Sequence, residues 1–245
     1  MIRAAQFKSI VVLTGAGISA ESGIKTFRDN NGLWENQRFE DVATPEAFAT
    51  DADLVHRFYN QRRMQLIREA QPNAAHIALA NFERSLANTH ASKFTLITQN
   101  VDDLHERAGC QSVVHMHGEL LKIRCSNSGE VFECREAINS QVCCECCKQP
   151  GLLRPHIVWF GETPFFMEII ERALQDCDLF VAVGTSAQVY PAAGFMHLAK
   201  SCGAATVELN LASTTSSHLF DHSLLGPATQ TVTKFFETGL DQKFF

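Results

Sequence analysis

No run of apolar residues in this chain approaches the roughly 20 that a bilayer-spanning helix needs, so no membrane span is expected. A basic excess is missing too: 21 Lys and Arg stand against 27 Asp and Glu, for a net charge of −6. Without a broad cationic surface there is little to neutralise phosphates, which argues against nucleic acid as a direct ligand. Internal repeats and low-complexity linkers are absent, and the 245 residues read as one folded unit carrying at most a small inserted module. The apolar part of the opening "MIRAAQFKSIVVLTGAG" is only "IVVL", too short for a signal-peptide core, and it runs straight into glycines. It reads as a first β-strand, and a cytoplasmic location is expected. The oligomeric state is not set by the sequence, which is compatible with a monomer.

What is present is an ordinary globular composition, 45% hydrophobic and 20% charged. Of nine cysteines, six fall in the 23 residues from Cys125 to Cys147. In a chain without a secretion signal such a cluster points to metal binding and not to disulfides. Elsewhere the runs "SIVVLTGAG", "KFTLITQN", "DLFVAVGTS" and "AATVELN" alternate with helical patterns, and each ends in Gly, Asn or Ser. This rhythm predicts an α/β fold, a Rossmann-like parallel sheet with helices on both faces and ligands gathered at the carboxyl ends of the strands. Leu54, Phe58, Leu66 and Ile67 mark a helix within residues 51–70, and residues 73–86 read as a second helix capped by Asn73. The cysteine-rich segment has neither period and reads as an inserted module. The expected division is a large part of about residues 1–30, 75–120 and 152–245, and a small part of about 31–74 and 121–151.

Three motifs carry chemistry. "LTGAGISAESG" places Gly15, Ala16 and Gly17 after a strand and before a predicted helix, where glycines allow a pyrophosphate to approach the backbone. A dehydrogenase is disfavoured, because no acidic residue sits about 20 positions further on at the end of a second strand. The Gly/Asn-rich stretch from Gly23 to Trp34, with Phe27 and Arg28 in it, reads as a lid over a cofactor. At the end of "FTLIT", Gln99, Asn100 and Asp102 can hydrogen-bond a carboxamide or a ribose, unless the amides merely cap a helix beginning near Val101. His115 and His117 alternate, so in extended chain only one of them faces the site, as a candidate base. Spacing does not say which.

"GAGIS", "FR", "TQNVD", "HGE", "VWFGE", "VGTS" and "ELN" occur in the order and approximate spacing of the sirtuin family, the NAD-dependent protein lysine deacylases, and the chain resembles that family over about residues 11–228. The resemblance implies that an acyl-lysine oxygen attacks the nicotinamide ribose of NAD, nicotinamide leaves, and the products are free lysine and O-acyl-ADP-ribose. It assigns His117 as general base, with His115 turned away, and places Asn100, Val101 and Asp102 at the nicotinamide end with Gln99 on the ribose. Gly15, Ala16, Gly17, Ser19 and Ala20 match the pyrophosphate loop, and Phe27, Arg28 and Trp34 the cofactor loop. Gly184, Thr185, Ser186, Asn210, Leu211 and Ala228 match the remaining phosphate, ribose and adenine contacts. Val158, Trp159, Phe160, Gly161 and Glu162 resemble the segment that pairs with the acyl-lysine protein substrate as an added strand.

Tyr59 and Arg62 match the Tyr-x-x-Arg of desuccinylase-like sirtuins. At i and i+3 they can share a helix face, and an arginine fork suits a carboxylate. The competing reading is a solvated face, since Arg57, Arg63 and Arg68 lie nearby. The family also implies a structural zinc held by two Cys-x-x-Cys pairs, a tetrahedral site. Here Cys125, Cys144 and Cys147 match, but Ser128 stands where a fourth thiolate is expected. Cys134, Cys143 and Cys146 are the alternatives for that place. ADP-ribosyl transfer, or non-catalytic reading of NAD or acyl-lysine, are the competing functions.

Overall fold

The computed structural model describes residues 2–24, 33–34, 37–87, 93–186 and 188–239. In chain order the first elements are β1 (Ser9–Thr14), β2 (Leu33–Trp34), β3 (Gln37–Arg38), α1 (Phe39–Val42), α2 (Pro45–Thr50), α3 (Ala52–Arg68) and α4 (Ala74–Ala87). There follow β4 (Lys93–Thr98), α5 (Leu104–Ala108), β5 (Val113–His115), β6 (Gly118–Cys125), β7 (Val131–Glu133) and β8 (Leu153–Ile157). The last are α6 (Met167–Asp176), β9 (Leu179–Val183), α7 (Phe195–Ser201), β10 (Ala205–Asn210), β11 (His222–Leu225) and α8 (Ala228–Glu237).

Six strands form one parallel sheet in the order β11-β10-β9-β1-β4-β5. Alternation along β1 shows why both faces are covered. Ile10 and Val12 join a core with Leu79 and Phe82 of α4 and Phe235 of α8, while Val11 and Leu13 join one with Ile170 and Leu174 of α6 and Phe195 of α7. Burial on both sides is what makes these strands continuously apolar. The chain leaves β1 toward β4 on one side and later returns through β9 on the other. The carboxyl ends of β1, β4 and β9 therefore flank the point where strand order reverses, the place where such sheets bind ligands.

A second, antiparallel sheet, β7-β6-β8, carries the cysteine-rich turns. Packed on it, α3 is capped by Asp51, whose Oδ1 accepts the Leu54 amide at 2.8 Å, close to the predicted limits. The cap at Asn73 is also present, accepting the Ala75 amide at 2.9 Å. Phe58 and Leu66 are buried as expected, with Leu54 and Ile67 half-buried. Arg63 departs from the solvated-face reading, for it is wholly buried.

One element differs from expectation. After the glycines the chain forms two 3-10 turns, Ala16–Ile18 and Ala20–Ser22, in place of an α-helix. The cause is tertiary: Asn73 Nδ2 donates to the Ile18 carbonyl at 2.8 Å, the acceptor an α-helix would have needed for the Ser22 amide. Gly23 then ends the segment at φ +87°. Among the described residues no helix is long and apolar enough to cross a membrane.

Candidate active site

The floor of the site is an interlock of glycines. The Gly15 amide donates to Val183 O at 2.9 Å and the Gly17 amide to Gly184 O at 2.8 Å, so the loop after β1 lies directly on the loop after β9. A Cβ at Gly17 would come within 2.6 Å of Gly184 Cα, and one at Gly184 within 2.6 Å of the Ile18 nitrogen. Gly184 also sits at φ +58°, so a side chain there is strained as well as crowded. Backbone this close packed leaves a cradle without side chains, which fits a pyrophosphate. Thr185 is buried, Ser186 half-buried and Ala20 exposed beside it.

One wall is made by the residues after β4. Asn100 Nδ2 donates to Gly15 O at 3.2 Å and to Ser19 Oγ at 3.1 Å, and Ser19 Oγ donates to Asp102 Oδ2 at 3.0 Å. The amides do not cap a helix: α5 starts only at Leu104, whose amide donates to Asp102 Oδ1 at 3.2 Å. Gln99 Nε2 reaches Thr185 Oγ1 at 3.0 Å and ties this wall to the β9 loop. Val101 is half-buried beside them. Burial pushes the Asp102 carboxyl up to about 6, against the hydrogen bonds from Leu104 and Ser19 that favour its charge.

A stability prediction follows from that shift. With the folded pKa above its ordinary 3.8, folded protein holds the proton more readily than unfolded protein. Stability is therefore lost as pH rises toward 6, and the cost is full at neutral pH. Asp102→Asn removes the ionisation and is expected to raise stability at pH 7.5 by about 1–3 kcal/mol. Urea melts should show the gain shrinking toward pH 4, while activity drops.

The two histidines take opposite directions. His115 is buried and its Nε2 lies 2.7 Å from Glu106 Oε1. Burial alone would lower its pKa, but Glu106 outweighs it and the net shift is upward. His117 is half-buried, with Nδ1 at 3.0 Å from the Gln99 carbonyl. A carbonyl only accepts, so Nδ1 carries the proton and Nε2 is left as the basic atom. Burial lowers its pKa, with Gln99 opposing.

At the far end, Asn210 is buried, donating to Thr185 O at 2.8 Å. Leu211 beside it is 70% exposed. Ala228 opens α8, and the next residue, Thr229, donates its amide and hydroxyl to Glu21 at 2.9 and 2.8 Å. Sequence reasoning missed Glu21, an acid one position past the loop that fastens the loop to α8. It also missed His76, whose Nε2 lies 3.5 Å from Ser19 Oγ; the helix-cap reading of Asn73 gave no reason to look three residues on. Phe27 and Arg28 lie outside the described residues, and Trp34 is placed by its backbone alone, in β2.

Tyr59 is fully buried and its hydroxyl accepts from Trp159 Nε1 at 2.9 Å. Arg62 is half-buried, its guanidinium 4.7 Å above the Phe58 ring. In the segment 158–162, the Val158 amide donates to His117 O at 2.9 Å and the Phe160 amide to Ala43 O at 3.0 Å. Trp159 points inward under Arg154, 3.4 Å from its ring centre. Glu162 is gripped by Arg154 at 2.7 and 2.9 Å and by Arg124 at 3.2 Å. These two side chains brace the segment from beneath, leaving Gly161 and the 43% exposed Phe160 at the surface.

Four thiols converge. Cys125, Cys144, Cys146 and Cys147 have all their sulfurs within 4.8 Å of one another, compatible with the roughly 3.8 Å edge of a tetrahedral zinc–thiolate site. Of the three alternatives for the fourth position, Cys146 is the one whose sulfur joins the cluster. Cys134 instead donates to Glu136 O at 3.4 Å, and the Cys143 sulfur is not among the four that converge. Ser128, at the expected ligand position, supports the cluster: its amide donates to Cys125 Sγ at 3.5 Å and its Oγ lies 3.1 Å from Cys146 Sγ. Cys146→Ser is expected to weaken zinc retention by at least about tenfold, measured by competition with a chromogenic chelator.

A parallel sheet with a side-chain-free cradle at its switch point, an amide and acid wall, and a thiol module define a dinucleotide-binding α/β protein. The Sir2 family pattern matches residues 15–191, and the chain belongs to this family. It is 56% identical over 229 residues to an NAD-dependent protein deacylase of Escherichia coli, covering 93% of this chain and 81% of that one. An NAD-dependent protein deacylase of Vibrio parahaemolyticus is 56% identical over 232 residues, 94% of this chain and 95% of that one. A solved Sir2 homologue in complex with NAD is similar with TM-score 0.84 and 42% identity, over 95% of this chain and 89% of that one.

Proposed function

We propose that this protein is an NAD-dependent protein lysine deacylase that removes acetyl groups and acidic acyl groups such as succinyl, releasing nicotinamide and O-acyl-ADP-ribose. The observation that carries the reading is the meeting of the Gly15–Gly17–Gly184 cradle, the Asn100–Asp102 wall and the Nε2 of His117 at one end of the sheet in a Sir2 family chain. When bound, NAD supplies the ribose carbon from which nicotinamide departs. Asn100 spends its N–H groups on Gly15 and Ser19, so its carbonyl oxygen is left to accept from a carboxamide. Asp102 is held by Ser19 and the Leu104 amide in the geometry to orient that end. His117, kept neutral by burial and fixed in tautomer by Gln99, takes the proton from a ribose hydroxyl through Nε2.

The substrate peptide adds as a strand alongside the segment 158–162, whose Trp159 and Glu162 side chains brace it from below. Trp159 also reaches Tyr59, so the peptide segment and the acyl pocket share one hydrogen bond. In that pocket Tyr59 and Arg62 grip the acyl carboxylate. Arg62→Met is expected to lower kcat/KM on succinyl-lysine at least about tenfold more than on acetyl-lysine, since a charge-assisted pair is lost only for the former.

Mass spectrometry of one peptide carrying either acyl group, with and without NAD, tests the whole reading. Loss of both groups only with NAD, with acyl-ADP-ribose appearing in step, supports it. Removal of acetyl alone removes the carboxylate grip. Removal of neither, with NAD bound, leaves a reader or a transferase.

A further inference from the structure

The helix that carries Tyr59 and Arg62 is stitched along one face to the segment leading into the thiol cluster. Asn60 pairs with both backbone groups of Ile138, its Nδ2 donating to the carbonyl at 2.7 Å and its Oδ1 accepting the amide at 3.1 Å. The wholly buried Arg63 donates to Leu120 O at 3.1 Å, to Asn60 Oδ1 at 2.8 Å and to Glu136 O at 3.1 Å. Two turns earlier, Asp53 Oδ1 accepts the Ser140 amide at 3.0 Å. Asp53, Asn60 and Arg63 lie at i, i+7 and i+10, one face of a helix. The stitched segment, residues 136–140, is anchored at one end by the Cys134 thiol on Glu136 O and runs at the other into Cys144, a member of the thiol cluster.

We infer that Asn60 and Arg63 are positioning residues for the acyl carboxylate, coupling the placement of Arg62 to the integrity of the thiol module. The inference rests on the deacylase reading. Each strut residue directly follows a member of the Tyr59/Arg62 pair, so a rotation of α3 that breaks the strut displaces the pair with it. Tyr59 is also held by Trp159, and the guanidinium of Arg62 lies on Phe58 of the same helix, so both members of the pair are placed by α3. A buried guanidinium tolerates little movement, because its carbonyl partners offset the cost of its desolvation. Acetyl-lysine offers Arg62 nothing to grip and is insensitive to the strut. The same hydrogen bonds hold residues 136–140 on the way to Cys144, so loosening the strut also loosens the thiol module's hold on a metal.

The test compares full-length, zinc-loaded wild type with Asn60→Ala on acetyl- and succinyl-lysine peptides of one sequence. The succinyl-to-acetyl ratio of kcat/KM is expected to fall about fivefold or more through KM for the succinyl peptide, with acetyl within about twofold. Zinc release to a chromogenic chelator is expected to quicken. Asn60→Asp, which keeps the acceptor for Ile138 and Arg63, restores most of the ratio. Asp53→Ala, at an exposed position that threatens folding less, shifts ratio and release in the same direction. An unchanged ratio, equal losses on the two peptides, or zinc release at the wild-type rate overturns the coupling. Wild type that removes acetyl but not succinyl instead overturns the carboxylate grip on which the inference rests.

Discussion

Replacing His117 with alanine is expected to lower kcat/KM on both acetyl- and succinyl-lysine peptides by about 10²–10⁴-fold, the range for loss of a positioned general base. The imidazoles of His115 and His105 do not replace it. His115 faces Glu106, and His105 is buried against Thr14, its pKa driven well down by that burial. In wild type, burial lowers the His117 pKa below its ordinary 6.5. The base is therefore unprotonated and active at neutral pH, and activity is lost as pH falls through that lowered value. Asp102, at about 6, takes up a proton over the same acid range. Steady-state rates from about pH 5 to 8.5 should show a plateau above about 7 and an acid limb below the ordinary imidazole value. A limb centred above about 7 would contradict the buried, neutral imidazole.

Gly17→Ala is the second change with a large expected effect. Its new methyl meets Gly184 Cα at 2.6 Å and Gly184 O at 2.8 Å, both backbone atoms. They cannot yield without prising the loop after β9 away from β1, and Gly184 cannot turn aside because its own φ is already +58°. Destabilisation of about 2–4 kcal/mol and a loss of NAD affinity to below detection are expected, read by urea melts and calorimetry. Gly194→Ala is the control: it has ordinary φ −85°, and its nearest neighbour is Tyr190 Cε1 at 3.9 Å. If Gly17→Ala proved as stable as the control, the interlock would not bear on the cradle.

Much of this was open to reading without coordinates, for physical reasons. A strand covered on both faces must be apolar from end to end, and one that ends at a ligand crevice must change abruptly to Gly, Asn or Ser, so "SIVVLTG" and "FTLITQN" announce both the sheet and its business edge. What escaped was set by partners distant in sequence. The 3-10 turns after Gly15 follow from Asn73 taking the Ile18 carbonyl. Arg63 looks like one more surface arginine until Leu120 and Glu136 close over it. Spacing alone leaves His115 and His117 open, and only the resemblance chooses His117; the physical reason lies in Glu106 and the Gln99 carbonyl. Cys146 could not be told from Cys134 or Cys143 by spacing, because turns and not a period bring its sulfur to Cys144, 3.1 Å away.

The contact between Gly17 and Gly184 joins positions 167 residues apart. A chain in which β9 has not yet docked against β1 has neither the second half of the cradle nor the Thr185 hydroxyl that Gln99 requires, so no partly built version of the site exists to hold a dinucleotide weakly. A dinucleotide bound across this seam therefore holds β9 against β1, and its binding energy adds to the stability of the docked sheet.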